Sequence, residues 1–204
     1  MIAAAATDLG YLLLALADVP AVHVLAARWS RRRYARLAAG YDAHIACCPH
    51  YGIALDDALS VVDVSPRRIL DVSTGTGFAA SALARRFPAA SVVACDLSLP
   101  MLLRARGRLP GLGLVCADAG RLPFADGAFD LVVQHNAPPP IGELARVVAA
   151  GGRLVVAFSS AGTLPDWLRA AVVQRLRGRG LQVISHRRVG DGWYALAGRP
   201  GVRR

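Results

Sequence analysis

The chain contains no lysine: all 24 of its basic residues are arginine. Against 14 acidic residues they give a formal charge of +10, a balance that attracts phosphate-rich partners over the screening length. The arginines are nevertheless spread over the whole sequence, in a background dominated by Ala, Gly, Leu and Val. No stretch interleaves them with aromatics as an RNA-binding module would. The charge reads as diffuse composition and weighs against a nucleic-acid partner. No C-x-x-C spacing occurs among Cys47, Cys48, Cys95 and Cys116, and the adjacent Cys47-Cys48 pair is badly placed for a disulfide or for two tetrahedral ligands. No metal site is expected. Buried, reduced thiols are, with Cys95 and Cys116 acting as small hydrophobes inside apolar runs, and with them a cytoplasmic address. No internal repeat or low-complexity linker divides the 204 residues, a length suited to one well-cored domain plus a smaller cap.

Also missing is a basic segment ahead of the first apolar stretch. Residues 9–28, LGYLLLALADVPAVHVLAAR, precede Arg31, Arg32, Arg33 and Arg36, so the order is wrong for a signal peptide. A membrane span would carry Asp18 near its centre, at a cost of about 2.5–3.5 kcal/mol, with Pro20 and His23 beside it. Two short helices fit better, the first capped by Thr7 or Asp8 and the second opened by Asp18 ahead of Pro20. Apolar surface there that the core leaves uncovered would suit peripheral membrane contact or a homodimer through residues 9–28.

What is present is a hydrophobic chain, 54% apolar, with mean hydropathy +0.39, which excludes disorder because burial can offset chain entropy. Residues 7–39 read as two helices, 40–50 as a Gly/Pro-punctuated loop and 51–63 as a third helix. From Arg67 the rhythm changes. RILDV, SVVACD, GLVCAD, FDLVVQ and RLVVAFS are strand-like, separated by helical stretches at Ser81–Phe87, Pro100–Arg108 and Ile141–Val148. Such alternation specifies an α/β fold with a parallel sheet covered on both faces. A last helix near Leu164–Arg177 leads to LQVISHRRV and GWYALAGRP, joined as a hairpin by Gly190-Asp191-Gly192. The expected division is an N-terminal helical cap, 1–64, and a core, 65–204.

The central motif is Asp71-Val-Ser-Thr-Gly-Thr-Gly77, which ends a strand and opens a helix, so that backbone N–H groups can approach a ligand. Gly75-x-Gly77-x-x-Ala80 also satisfies the dinucleotide fingerprint, with Asp96 about twenty residues downstream, so spacing alone leaves a nicotinamide-dependent oxidoreductase open. Asp71 argues otherwise. A carboxylate at the loop mouth repels a pyrophosphate and attracts a cationic amino group.

RILDVSTGTGFAASALARRFP, VVACDLSLPMLLRAR, CADAGRLPFADGAFDLVV and ELARVVAAGGRLVVAF together resemble the class I S-adenosylmethionine-dependent methyltransferases, type 11-like members in particular, over about residues 67–160. The sequence departs from that pattern at Ser73, where a glycine normally sits. The resemblance implies a Rossmann-like, doubly wound, seven-stranded sheet with a reversed terminal strand. It implies S-adenosylmethionine as cofactor, held by Asp71, Ser73, Thr74, Gly75, Thr76 and Gly77. Asp96 is expected to accept from both ribose hydroxyls, with Leu97 and Met101 packed nearby. Asp118 would receive the adenine amino group and Ala119 would offer its N–H. Tyr41, from the cap, would close over the cofactor.

Gln134, His135 and Asn136 follow the fourth strand, at the carboxyl edge where open α/β sheets bind ligands. Gln134 is counted with the cofactor site and His135 is the candidate general base, its ordinary pKa being near 6.5. Ala137-Pro138-Pro139-Pro140 lacks the spacing and the aromatic of an Asn-Pro-Pro-aromatic signature and reads as a short, rigid connection. His50 and Tyr51 could face the acceptor. The apolar cap points to a small hydrophobic acceptor, with a catalytically weak partner protein and an RNA methyltransferase as the alternatives.

Overall fold

The computed structural model describes residues 19–159 and 165–201. The Val/Leu runs form β1 (Arg68–Val72), β2 (Ser91–Asp96), β3 (Gly113–Cys116), β4 (Phe129–His135) and β5 (Val148–Phe158), followed by the hairpin β6 (Gln182–Val189) and β7 (Gly192–Gly198). They lie side by side in the order β3-β2-β1-β4-β5-β7-β6. The first five pair in parallel, whereas β7 runs antiparallel to both β5 and β6. This is the expected doubly wound sheet with its reversed last strand. The tight turn after Val189 folds β7 back along β6, and the free edge of β7 completes β5.

Seven described helices surround the sheet: α1 (Pro20–Leu37), α2 (Tyr41–Ala46), α3 (Ile53–Ser60), α4 (Phe78–Arg86), α5 (Leu99–Arg108), α6 (Ile141–Val147) and α7 (Asp166–Gly178). Successive strand residues point to opposite faces, which splits the core in two. Val132 and Leu154 face Leu144, Leu168 and Leu176 from α6 and α7, while Leu131, Val133 and Val155 face Leu55 and Leu59 of α3 and Leu83 of α4. Each such fully buried aliphatic contributes about 1.5–3 kcal/mol. Burial on both faces is why these strands read as continuous apolar runs.

Several local expectations change. The stretch 40–50, read as a loop, contains α2, a six-residue helix that is too short to persist alone and is held by burial of Ile45. Helix α4 starts at Phe78 rather than Ser81, because Gly77 at φ 86° turns the chain directly into it. Helix α3, read as part of a cap, packs on the sheet itself through Ala54, Leu55, Ala58 and Leu59. All four cysteines are free, as expected, but only Cys95 is buried. Cys47 and Cys116 are exposed and Cys48 is intermediate; Cys116 ends β3, an edge strand with a single neighbour. The helix expected over residues 7–18 lies outside the described residues. No described helix is long and apolar enough to cross a membrane.

One polar clamp bears on the site. Glu143 accepts from the Leu122 N–H at 2.9 Å and from Arg146, whose guanidinium also donates to the carbonyls of Leu122 and Phe124. Helix α6 thereby fixes the segment that follows β3 and carries Asp118.

Candidate functional site

The carboxyl ends of β1, β2 and β4 converge on the loop 73–77. Gly75 and Gly77 take φ of 57° and 86°, and Ser73 takes 60°, a left-handed conformation that costs a side chain about 1–2 kcal/mol. The helices pack tightly behind it: a Cβ on Gly77 would lie 3.2 Å from that of Ala105 in α5. Asp71 is fully buried at the root of the loop, and its Oδ2 accepts from the Thr74 hydroxyl at 2.6 Å. Burial pushes its carboxyl up to about 7, against the Thr74 bond that holds it down. Asp71 Oδ1, Thr76 Oγ1 and Gln134 Oε1 are buried without a hydrogen-bond partner among the described residues. Gln134 Nε2 meanwhile donates to Ser73 Oγ at 3.4 Å and to the Pro138 carbonyl at 3.3 Å, tying the end of β4 to the loop.

Asp96 ends β2 facing this loop. Its two oxygens accept from the Gly75 N–H at 2.9 Å and the Ser98 N–H at 2.8 Å, and burial raises its pKa. Leu97 is half-buried beside it and Met101 is buried in α5. Asp118 and Ala119 follow β3, both half-buried. Asp118 accepts from the Gly120 N–H at 2.8 Å and pairs with Nε2 of His23 at 2.5 Å, a contact that holds its pKa down. Helix α1 therefore lies across the site and covers Gly120 with the His23 ring.

Aromatic residues line the cap side. Tyr41 lies 3.8 Å from where a Cβ of Gly75 would be, edge-on to Tyr34, and its hydroxyl is 3.4 Å from that of Tyr51. Tyr51 packs edge-on against both Phe78, at 4.9 Å between ring centres, and His135, at 5.1 Å. His50 is exposed to solvent, apart from this group. His135 is buried, and burial lowers its pKa to about 4. Its Nε2 lies 2.8 Å from Ser159 Oγ, whose hydroxyl donates to the Tyr51 carbonyl. A hydroxyl has one hydrogen, so Nε2 is the donor to Ser159 and carries the ring proton. Asn136, at φ 57°, completes the tie: its Oδ1 accepts from the Ser159 N–H at 2.7 Å and its Nδ2 donates to Ser159 Oγ at 2.8 Å.

A family profile described as a methyltransferase domain matches residues 69–152, the span that contains the loop, Asp96, Asp118 and β4. Over that span the chain carries the methyltransferase domain of the class I S-adenosylmethionine-dependent family. It is 38% identical over 154 residues to a malonyl-[acyl-carrier protein] O-methyltransferase of Halorhodospira halophila, covering 71% of this chain and 52% of that protein. It is 46% identical over 114 residues to a demethylmenaquinone methyltransferase of Thermus thermophilus, covering 50% of each. The chain thus spans about half the length of the curated relatives it matches. In fold it is similar to a chain of the complex between the Haloferax volcanii Trm112 methyltransferase activator and a methyltransferase, with TM-score 0.69 at 19% identity, covering 82% of this chain and 97% of that one. An S-adenosylmethionine-dependent methyltransferase of Thermotoga maritima gives TM-score 0.65 at 15% identity, covering 83% and 99%.

Within this fold, four groups at the site escape sequence reading: His23, Tyr34, Phe78 and Ser159. His23 and Tyr34 lie eleven residues apart on one helix, three turns that bring both to the same face, but nothing in the sequence says that this face meets the loop. Ser73 is the departure with a measurable consequence. Ser73→Gly removes the left-handed strain and gives up only a long bond from Gln134, so the melting temperature should rise, by about 0.5–1 kcal/mol of stability after the added chain entropy of glycine. An unchanged or lower melting temperature would mean that the Ser73 hydroxyl contributes more than its conformation costs.

Proposed function

We propose that this chain transfers a methyl group from S-adenosylmethionine to a small, hydrophobic acceptor. The observation that carries the reading is the pair of buried acceptors without partners, Asp71 Oδ1 and Gln134 Oε1, on either side of a loop whose Gly75 is fixed to Asp96. Buried polar atoms are normally satisfied, and two acceptors with a carboxylate among them suit a ligand that brings a cationic amino donor. Asp96 retains lone pairs for the ribose hydroxyls, since an ionised carboxylate accepts about four hydrogen bonds. Tyr41 closes over Gly75, and Leu97 and Met101 pack the nucleoside; the Thr74 and Gly77 N–H groups already donate to the Cys95 and Thr74 carbonyls at 3.0 and 2.9 Å, so the Thr76 N–H is the loop donor for the remaining polar edge. When bound, S-adenosylmethionine supplies an electrophilic methyl group and leaves as S-adenosylhomocysteine.

The chain's own contribution is alignment and exclusion of water. The box of Tyr51, Phe78 and Tyr34 suits an apolar acceptor, in keeping with relatives named for an acyl-carrier substrate and a menaquinone precursor. His135 is better suited to positioning than to taking a proton, because its pKa of about 4 is far from neutrality and its Nε2 already donates to Ser159. A catalytically weak partner protein is the second reading, favoured by His23 lying against Asp118. An RNA acceptor would show a steep loss of binding with salt.

Calorimetric titration with S-adenosylhomocysteine and with NADH separates the cofactors, and turnover on a panel of acids, phenols, quinones and amines separates enzyme from partner. Binding of the first ligand alone, with turnover on an apolar acceptor, is expected. Preference for NADH would sink the assignment, and binding without any turnover would favour the second reading.

A further inference from the structure

Helix α1 has two unlike faces. One carries His23 and Tyr34 toward the site. The other presents Val24, Leu25, Arg28, Trp29, Arg31, Arg32 and Arg36 to solvent, seven exposed residues that fall on one contiguous side of the helix at 100° per residue. Leu25 is 70% exposed, Val24 56% and Trp29 49%. The residues from Pro20 to Leu37 include no Asp or Glu. Among the described residues, Arg28, Arg31, Arg32 and Arg36 form no salt bridge, in contrast to Arg146, Arg153 and Arg187, each paired with a carboxylate. Arg33 stacks over the Trp29 ring at 5.1 Å, at the margin of the face. Leu25, Arg28, Trp29, Arg32 and Arg36 also border a shallow concavity of about 820 Å³.

We infer that this face of α1 is a docking surface for an anionic lipid bilayer. The four arginines match the negative potential of the surface, and the long aliphatic and indole side chains between them are of the kind that enter the boundary between headgroups and acyl chains. A nucleic-acid duplex would answer the charge but would leave Val24, Leu25 and Trp29 facing water or phosphate without a role. The inference rests on α1 alone and stands apart from the methyl-transfer reading.

The test is co-sedimentation of the full chain with vesicles of phosphatidylcholine alone and of phosphatidylcholine mixed with phosphatidylglycerol. Two variants accompany it, Arg28→Gln/Arg32→Gln/Arg36→Gln and Leu25→Ser/Trp29→Ser, with circular dichroism melts to confirm that these surface changes leave the fold intact. The wild type is expected to bind only the anionic vesicles, less at high salt. The arginine variant should lose about 100-fold in partitioning, the product of three charges near the surface, and the apolar variant should also release the vesicles. Absence of vesicle binding, or binding that both variants retain, would overturn the inference. So would retention of a short RNA duplex in place of vesicles, or a wild-type dimer by sedimentation equilibrium that the Leu25/Trp29 variant splits without any vesicle binding.

Discussion

Asp96→Ala is expected to lower the affinity for S-adenosylhomocysteine by about 100- to 10,000-fold while the protein remains folded. An ionised carboxylate that accepts from two ribose hydroxyls supplies two charge-assisted hydrogen bonds, each about 1.5–3 kcal/mol, and tenfold in affinity corresponds to about 1.4 kcal/mol. The same oxygens accept from the Gly75 and Ser98 N–H groups, so the substitution also loosens the loop and lowers the melting temperature. Asp96→Asn is intermediate: its one oxygen can keep the Gly75 bond but its NH2 then faces the Ser98 N–H, so its melting temperature should fall part of the way, while the lost charge and second acceptor reduce binding by about tenfold. Titration calorimetry of the three proteins, each with its own melting curve, measures both. Wild-type affinity in the alanine variant would remove Asp96 from the ribose and with it the proposed pose.

Two buried groups, Asp71 and His135, push stability in opposite directions between pH 4 and 7. Asp71 titrates at about 7 in the folded chain, above its ordinary value of 3.8, so the folded state holds a proton that the unfolded state lacks. Its contribution is fully present below pH 3.8 and is lost as pH rises through 7, on the order of 4 kcal/mol at about 1.4 kcal/mol per unit. His135 titrates at about 4, below its ordinary 6.5, so here the unfolded state holds the extra proton. Its contribution is present above pH 6.5 and is lost as pH falls toward 4, on the order of 3 kcal/mol. Over pH 4 to 6.5 the two slopes nearly cancel.

Relative to the wild type, whose own curve also carries the raised pKa of Asp96, urea unfolding across this range should therefore tilt in opposite directions in two variants. Asp71→Asn, whose amide oxygen can still accept from Thr74, should gain stability as pH rises from 4 to 6.5 and exceed the wild type at pH 8. It should also bind S-adenosylhomocysteine more weakly, because Oδ1, the carboxylate oxygen without a hydrogen-bond partner among the described residues, is the one proposed to meet the ligand's amino group. Such a buried charge, costly in the free protein and useful on binding, is the usual form of a trade between stability and activity. His135→Gln should instead lose stability steadily from pH 4 to 7. Parallel curves for all three proteins would place both titrations outside the folding equilibrium.

The order of strands and helices from Arg67 onward was legible in the residues because both periodicities are local: doubly covered strands are continuous Val/Leu runs, and the crossover helices between them need no long-range information. Asp71, Gly75, Gly77 and Asp96 were legible for the same reason, since a strand-to-helix turn that must bring its backbone near a ligand allows few residue types. Helix α2 was missed because six residues have no helical stability of their own and depend on burying Ile45. The exposure of Cys116 was hidden because an apolar run does not tell whether its strand is central or at the edge.

Only the tertiary structure decided what His135 is. In the sequence it is a histidine of ordinary pKa at a sheet's carboxyl edge. In the fold it is a neutral ring between Tyr51 and Phe78, its Nε2 proton committed to Ser159, which lies 24 residues away. The sequence by itself determined the sheet and the loop at its centre, whose signals are carried by neighbours in the chain. Which side of α1 meets Asp118 and which meets solvent, and which carboxylates and rings lose their water, depend on elements brought together from distant parts of the chain, and desolvation exists only once they have met.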